Sequence, residues 1–194
     1  MLRRLTRFRV RLAWYATALL LPLAIRGLAI AIVGLFEDAW RLVVRPAEAI
    51  GAVVVLMILL VPFEEIGWRG YALPLLQQRY TPLVSSIILG VIWALWHLPL
   101  AWASIGYQRS DEPWRYMTWF VLSIIPISCL VTWLFNRSAE SVPVVSVLHI
   151  AINLADFVLV LPSRTGELVL VASSIVTALF VATAMNFRGL RVSA

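Results

Sequence analysis

Long apolar segments separated by short polar stretches run through the whole chain. They cover about residues 13–36, 47–63, 82–104, 113–135, 142–161 and 168–187. Most are close to the ~20 residues that a helix needs to cross ~30 Å of hydrocarbon. Proline and polar residues mark the breaks, as in RPAE, SDEP, NRSAESVP and LPSRTGE. The pattern predicts an all-α fold, a polytopic transmembrane helical bundle with about six spans.

One further element follows the second span. The stretch from Glu64 to about Gln78 begins with two adjacent carboxylates and contains Gly67, Gly70 and Pro74. These residues make it a poor simple span, so we expect an interfacial or partly embedded helix. No polar, linker-like region separates a second domain, and we expect one membrane domain over residues 1–194.

Composition supports a membrane protein and excludes other classes. Hydrophobic residues make up 62% of the chain and charged residues 13%, with a mean hydropathy of +0.92. A water-soluble domain carries about 25% charged residues. Cys129 is the only cysteine, which excludes disulfides within the chain and cysteine-based metal sites. All sixteen basic residues are arginine, which hints at a GC-rich bacterial genome.

The arginines also predict orientation. Five of them precede the first span, where they resemble the n-region of a signal peptide. No small-residue cleavage site leads into a polar domain, so we expect a retained first helix in a bacterial cytoplasmic membrane, and no nucleic-acid binding. With the N-terminus inside, the cytoplasmic side holds Arg3, Arg4, Arg7, Arg9, Arg11, Arg69, Arg79, Arg137, Arg188 and Arg191. The opposite side holds Arg41, Arg45, Arg109, Arg115 and Arg164. Ten arginines against five predict that both termini are cytoplasmic.

Polar residues inside apolar segments are the candidate functional residues. An ionisable group there costs about 2.5–3.5 kcal/mol on insertion scales and marks a functional site by default. The set is Arg26, Glu64, Glu65, Arg69, His97, His149, Asn153 and Asp156, and it includes both histidines of the chain. Arg26 has no evident partner in the sequence, which favours a structural or topological role. Asp156 lies about one turn beyond Asn153, where it could support the site or line its rim.

Three pairs in this region are four residues apart, namely Glu65 with Arg69, Trp93 with His97, and His149 with Asn153. Residues at this spacing share one helix face. Three helices could therefore present polar patches to one interior point, as facing helices of a bundle often do.

Such a set suits the activation of water. A carboxylate can act as a general base, and an imidazole or an amide can stabilise an oxyanion. Glu64, His97 and His149 also suit one zinc ion, although no HExxH helix is present. Each residue has a structural alternative: the acid pair could cap the next helix, Glu65 could simply pair with Arg69, and a histidine could be a packing residue.

At these residues the chain resembles the CAAX-protease and bacteriocin-processing family of intramembrane proteases, which includes the Ras-converting prenyl endopeptidases. The family motifs EExxxR, FxxxH and HxxxN correspond to EEIGWR, WALWH and HIAIN, with Trp93 in place of phenylalanine. The resemblance covers about residues 62–156, the predicted protease core.

The resemblance implies a role for each motif residue. Glu64 would activate water with help from His97, and His149 with Asn153 would stabilise the oxyanion. Glu65 and Arg69 would shape and orient the site. Trp93 keeps an aromatic side chain where the family usually has phenylalanine, so we expect a slightly altered pocket, of which Trp93 and Trp96 are possible walls. The substrate would be a membrane-associated or lipidated protein or peptide. A metal-dependent and a metal-free glutamate mechanism both remain compatible with these residues.

Two other functions remain open. The first is a non-catalytic immunity or scaffold protein of the same fold, which would have little need for both acids, both histidines and Asn153. The second is a small proton or metal transporter, since buried carboxylates and histidines also form relays. The lack of inverted repeats weakens the transporter hypothesis.

Overall fold

A computed structural model describes residues 1–36, 43–44, 46–99, 113–160 and 163–186. The helices are α1 (Leu2–Leu5), α2 (Leu12–Val33), α3 (Ala47–Glu65), a π-helical segment (Ile66–Ala72), α4 (Leu73–Gln77), α5 (Pro82–Trp96), α6 (Pro113–Arg137), α7 (Val142–Val158) and α8 (Ser163–Asn186). Within the described residues, the strands are a two-residue antiparallel pair, β1 (Val43–Val44) and β2 (Leu159–Val160). The predicted all-α fold class is confirmed.

The described helices are apolar, and two of them are long enough to cross a membrane. Leu12–Val33 and Ala47–Gln77 are long and apolar enough to cross a bilayer, with mean hydropathies of 2.1 and 2.3. Shorter apolar helices cover Pro82–Trp96, Val121–Arg137, Val142–Val158 and Leu168–Ala184. Large apolar side chains face outward along the bundle, where Phe63 is 74% exposed. Such a surface is stable only against lipid or another apolar partner.

The sequence predicted that the second span ends near Phe63 and that a further helix begins at Glu64. The structure differs from this prediction. The chain remains helical over the 31 residues Ala47–Gln77, so no interfacial helix is detached from the span. The change at this point is from α to π geometry, directly after Glu65. By helix rise, Glu64 lies ~19 Å from the Gln77 end and ~26 Å from the Ala47 end. The acid pair therefore lies well inside a continuous helix.

Helices α5 and α6 pack unusually closely. A Cβ atom built on Gly90 would lie 3.0 Å from the Cβ of Ser128 and 3.3 Å from the Cα of Ile125. The Ser128 hydroxyl donates to the Ser86 carbonyl oxygen at 2.9 Å. Small residues four apart allow such backbone approach in membrane bundles. This contact positions the half of α5 that carries Trp93 and leads to His97, the residue directly after the helix.

Helix α7 lies at the centre of the bundle. It contacts α2, α3, α6 and the π-helical segment. Val144, Val145 and Leu148 are fully buried on it. A side chain that α7 directs toward α3 is consequently shielded from lipid, which is the condition a polar site in a membrane requires.

Several contacts join the N-terminal residues, the end of α4 and the α6–α7 turn at one end of the bundle. Arg4 Nε bonds Glu140 Oε2 at 2.5 Å, and Gln77 Nε2 donates to Asn136 Oδ1 at 3.4 Å. This matches the predicted grouping of these segments on one side. Arg69, however, does not belong with the surface arginines, because its side chain is completely buried.

Candidate active site

Glu65 joins two helices through one carboxylate oxygen. Its Oε1 accepts a bond from Arg69 Nη1 at 2.8 Å and lies 2.9 Å from His149 Nδ1. All three side chains are nearly or completely buried. An ionised carboxylate can only accept, so Nδ1 of His149 carries the hydrogen. The π-helical geometry that follows Glu65 is a feature often found at functional sites.

The indole of Trp93 packs against this network. The Arg69 guanidinium carbon lies 4.5 Å from the centre of its ring, a cation–π distance. The ring centroid of Trp93 lies 5.0 Å from that of His149 and 6.0 Å from that of His97. Trp93 is 2% exposed. It thus forms an apolar wall that touches a side chain from each of the three predicted motifs.

Glu64 differs from its neighbour in burial and bonding. It is partly exposed, whereas Glu65 has no exposed surface. Its carboxylate lies beside Trp93 and interacts electrostatically with His149, Glu65 and Arg69. Its Oε2 has no hydrogen-bond partner among the described residues. Glu64 is therefore the more accessible acid of the pair.

His97 ends α5 next to this cluster. Its Nδ1 lies 2.8 Å from the Trp93 carbonyl oxygen. A carbonyl can only accept, so Nδ1 carries the hydrogen and Nε2 of the neutral ring is an acceptor. Its ring stacks edge-on with Trp96 at 4.9 Å, and Trp93 packs against both His97 and His149. The two histidines thus belong to one site.

Asn153 lies one turn from His149 on α7, but it bonds none of the other predicted site residues among the contacts described. Its Nδ2 donates to the thioether of Met57 at 3.3 Å. Sulfur is a weak acceptor, so this amide can be withdrawn at little cost. Met57 was missed by sequence reasoning. The spacing of Met57, Val61 and Glu65 could have placed all three on the helix face that packs against α7.

Arg26 and Asp156 pair with each other, away from the acid pair. Arg26 Nη1 lies 3.2 Å from Asp156 Oδ1, which joins α2 to α7. This supports the structural role expected for Arg26 and gives it the partner that the sequence did not reveal. Asp156 lies beyond Asn153 on α7, and its carboxylate pairs with Arg26 of α2.

Unpaired polar atoms concentrate at the site. Ten buried side-chain N or O atoms of the described residues lack a partner, and five belong here: Glu64 Oε2, Glu65 Oε2, Arg69 Nε, Arg69 Nη2 and Trp93 Nε1. Buried polar groups are normally bonded to protein or ordered water. This concentration therefore supports a hydrated polar interior beside Glu64.

The zinc hypothesis finds no ready-made ligand cage. Across the described ranges, no group of three His, Cys, Asp or Glu side chains is arranged to hold a metal ion. The predicted set of Glu64, His97 and His149 includes two imidazoles whose Nδ1 atoms are already bonded. A zinc ion would have to use their Nε2 atoms after a rearrangement, and no chemical step below depends on one.

Together these features define a class of protein, a helical membrane bundle with a buried carboxylate–guanidinium–imidazole network and a second, reachable carboxylate beside it. The model of the Type II CAAX prenyl endopeptidase Rce1-like family matches residues 46–155, more than half of the chain. The chain belongs to this family, and it is an integral membrane protein. The match contains every predicted motif.

A named relative agrees with this assignment. The chain is 37% identical over 132 residues to the CAAX prenyl protease 2 of Methanococcus maripaludis, which covers 64% of this chain and 48% of the relative. The chain thus spans about half the length of this relative. The relative is archaeal, and the bacterial source suggested by arginine usage stays a prediction.

Proposed function

We propose that this protein is an intramembrane endopeptidase that hydrolyses a peptide bond of a membrane-associated substrate by direct attack of water. The observation that carries the proposal is the difference between the two acids. Glu65 is enclosed and bonded on one oxygen by Arg69 and His149. Glu64 is partly exposed and takes part in neither of these bonds, although it lies beside the same network. Family membership and the name of the archaeal relative support peptidase chemistry.

In the proposed reaction, Glu64 removes a proton from water while the water oxygen attacks the scissile carbonyl carbon. His97 accepts a bond from this water through Nε2 and orients it. The carbonyl becomes a tetrahedral oxyanion. Glu64 then returns the proton to the leaving amide nitrogen and the carbon–nitrogen bond breaks. The new carboxyl group passes its remaining proton to the amine, so a carboxylate and a protonated amine leave. General acid–base catalysis of this kind contributes about 10²–10⁴-fold.

The oxyanion role of His149 sets a condition on its charge. Because Nδ1 already donates to Glu65, Nε2 can donate only when the ring is an imidazolium. Glu64, Glu65, Arg69 and a charged His149 together carry no net charge, which suits an apolar surrounding. Asn153 would supply a second donor after leaving Met57.

The substrate and the orientation are part of the proposal. The relative is named as a CAAX prenyl protease, and we propose that this chain likewise acts on a lipidated, membrane-associated protein or peptide. We place both termini in the cytoplasm on the arginine distribution, in which nine arginines still face five after Arg69 is removed. Labelling of single cysteines at exposed positions such as Arg9, from each side of sealed vesicles, tests this orientation.

The decisive test replaces Glu64 by glutamine and measures cleavage of a lipidated peptide by protein in lipid nanodiscs. Glu64→Gln should lose at least about 10²-fold in kcat while keeping its thermal unfolding temperature. Glu48→Gln is the matched control, because Glu48 is an exposed acid in the first turn of the same helix. Undiminished cleavage by both Glu64→Gln and His149→Ala would contradict the proposal and favour a non-catalytic scaffold. Metal analysis of the same active preparation tests the zinc hypothesis.

A further inference from the structure

The N-terminal segment, residues 1–11, has two different faces. Leu5 and Val10 face inward and pack against the core of the bundle. Arg3, Arg9 and Arg11 are exposed, and so are three apolar side chains, Met1 at 57%, Leu2 at 78% and Phe8 at 64%. The segment directly precedes α2, a helix long enough to cross the bilayer. The exposed face therefore adjoins the start of a candidate membrane span.

The inward face of the segment forms hydrogen bonds with residues 139–141, the turn that precedes α7. Arg4 Nε bonds the Glu140 carboxylate at 2.5 Å, and Arg7 Nη1 donates to the Ala139 carbonyl oxygen. The Ser141 hydroxyl donates to the Arg7 carbonyl oxygen at 2.7 Å and accepts from the Val144 amide at 3.3 Å. Ala139 and Glu140 both have positive φ angles, 58° and 61°, which residues with side chains adopt only when held.

A third contact brings the segment next to Arg69. A Cβ atom on Gly70 would lie 3.1 Å from Leu5 Cδ2 and 3.7 Å from Val142 Cγ2. Leu5, the π-helical segment and the first residue of α7 therefore meet at one point. The N-terminal segment thus contacts the two elements that carry Arg69 and His149.

We propose that the N-terminal segment binds the anionic headgroups of the adjoining leaflet and thereby sets the position of α7. Two observations favour a lipid surface as the partner. The exposed face alternates arginine with large apolar side chains, the composition of an interfacial membrane segment. Glu140 is the one acidic side chain paired with the segment among the described residues, so most of its positive charge remains available. Juxtamembrane arginines contribute affinity for anionic leaflets in this way.

Lipid binding is tested without reference to peptidase activity. Detergent-purified protein is titrated with phosphatidylglycerol or phosphatidylcholine, and bound lipids are counted by native mass spectrometry. Arg9→Gln/Arg11→Gln should lose on the order of tenfold in affinity for phosphatidylglycerol, and the loss should shrink at high salt. The control Arg79→Gln/Arg137→Gln removes the same charge from the same end of the bundle, outside the segment. An equal loss in both variants, or full competition by inorganic phosphate, would overturn the proposal.

Coupling to α7 is tested by exchanging charges. Arg4→Glu and Glu140→Arg should each lower the thermal unfolding temperature and remove its rise with added phosphatidylglycerol, and the double variant should restore both. Absence of rescue would overturn the coupling. Where Arg4→Glu does not fold, Arg4→Gln and Glu140→Gln replace the charge exchange, and the double variant should lose no more than either single variant; additive losses would overturn the coupling. Cleavage of a lipidated peptide by the Arg4→Glu and Glu140→Arg variants can also be measured. This measurement rests on the proposed function, and kcat rather than KM should change. The unfolding assay stands even if no peptidase activity is found.

Discussion

The Nδ1 atom of His149 lies 2.9 Å from Oε1 of Glu65, an oxygen that Arg69 also binds at 2.8 Å. This relationship joins the centre of α7 to the end of α3. It also encloses Glu65, which leaves Glu64 as the more accessible carboxylate of the pair. The two adjacent acids therefore have different surroundings although they have the same side chain.

The main effect of Glu65→Gln should be a loss of stability, because Glu65 is not among the groups proposed to react. The amide cannot neutralise Arg69, whose charge would then be buried without its partner, a situation that costs about 3–5 kcal/mol. We expect a lower unfolding temperature for Glu65→Gln and an unchanged one for Glu64→Gln. Equal stability of Glu65→Gln and the wild type would argue against an ionised Glu65 in the folded protein.

A double-mutant cycle separates this ion pair from general damage to the core. Glu65→Gln and Arg69→Met should each be destabilising, and the combination should be less destabilising than their sum, because neither variant partner leaves an uncompensated charge. The readout is thermal unfolding in detergent or nanodiscs. Additive losses would show that the two side chains act independently.

Trp93 stands where the family motif FxxxH has phenylalanine, and substitutions at this position test what the larger ring contributes. Trp93→Phe keeps an aromatic ring beside Arg69 and His149 and restores the phenylalanine of the FxxxH pattern, so most of the activity should remain. Trp93→Leu removes the cation–π contact, worth about 0.5–2 kcal/mol, and the edge contact with His149. Its kcat should fall well below that of Trp93→Phe. Equal activity of the two variants would show that only apolar volume matters at this position.

The close approach of α5 and α6 makes Gly90 sensitive to size. Gly90→Ala places a methyl group 3.0 Å from Ser128 Cβ and 3.3 Å from the backbone of Ile125, so one helix must move. We expect a lower unfolding temperature and a larger loss for Gly90→Val. The matched control is Gly51→Ala, since nothing lies within 4 Å of a Cβ there. A harmless Gly90→Val would show that α5 can shift without disturbing the bundle.

The sequence predicted most of the architecture because membrane spans carry a strong local signal. Apolar length located α2, α6, α7 and α8 to within a few residues, and the spacing of Glu65 and Arg69 correctly predicted their ion pair. The apolar pattern placed the end of the second span after Phe63. The chain instead remains helical there and continues through a π-helical segment to Gln77. Two glycines and a proline suggested a break, but neighbouring elements support the helix there, since Leu5 and Val142 pack against Gly70.

Long-range pairings could not be predicted from spacing alone. Arg26 and Asp156 are 130 positions apart, and only the packing of α2 against α7 brings them together. The attachment of Glu65 to His149 has the same origin. Spacing showed that His149 and Asn153 share a face, but it could not show that His149 binds Glu65 while Asn153 rests on Met57.

Asn153 gives the sharpest test of the proposed oxyanion site. Its amide now donates to the sulfur of Met57, a weak acceptor that a developing oxyanion can replace. Asn153→Ala should therefore lower kcat by about 10²–10³-fold with little change in KM, as loss of an oxyanion donor does. The matched control is Met57→Leu, which removes the resting acceptor but no donor and should keep kcat. If Met57→Leu lowers kcat as much as Asn153→Ala, the amide acts by packing α3 against α7, and the oxyanion role is wrong.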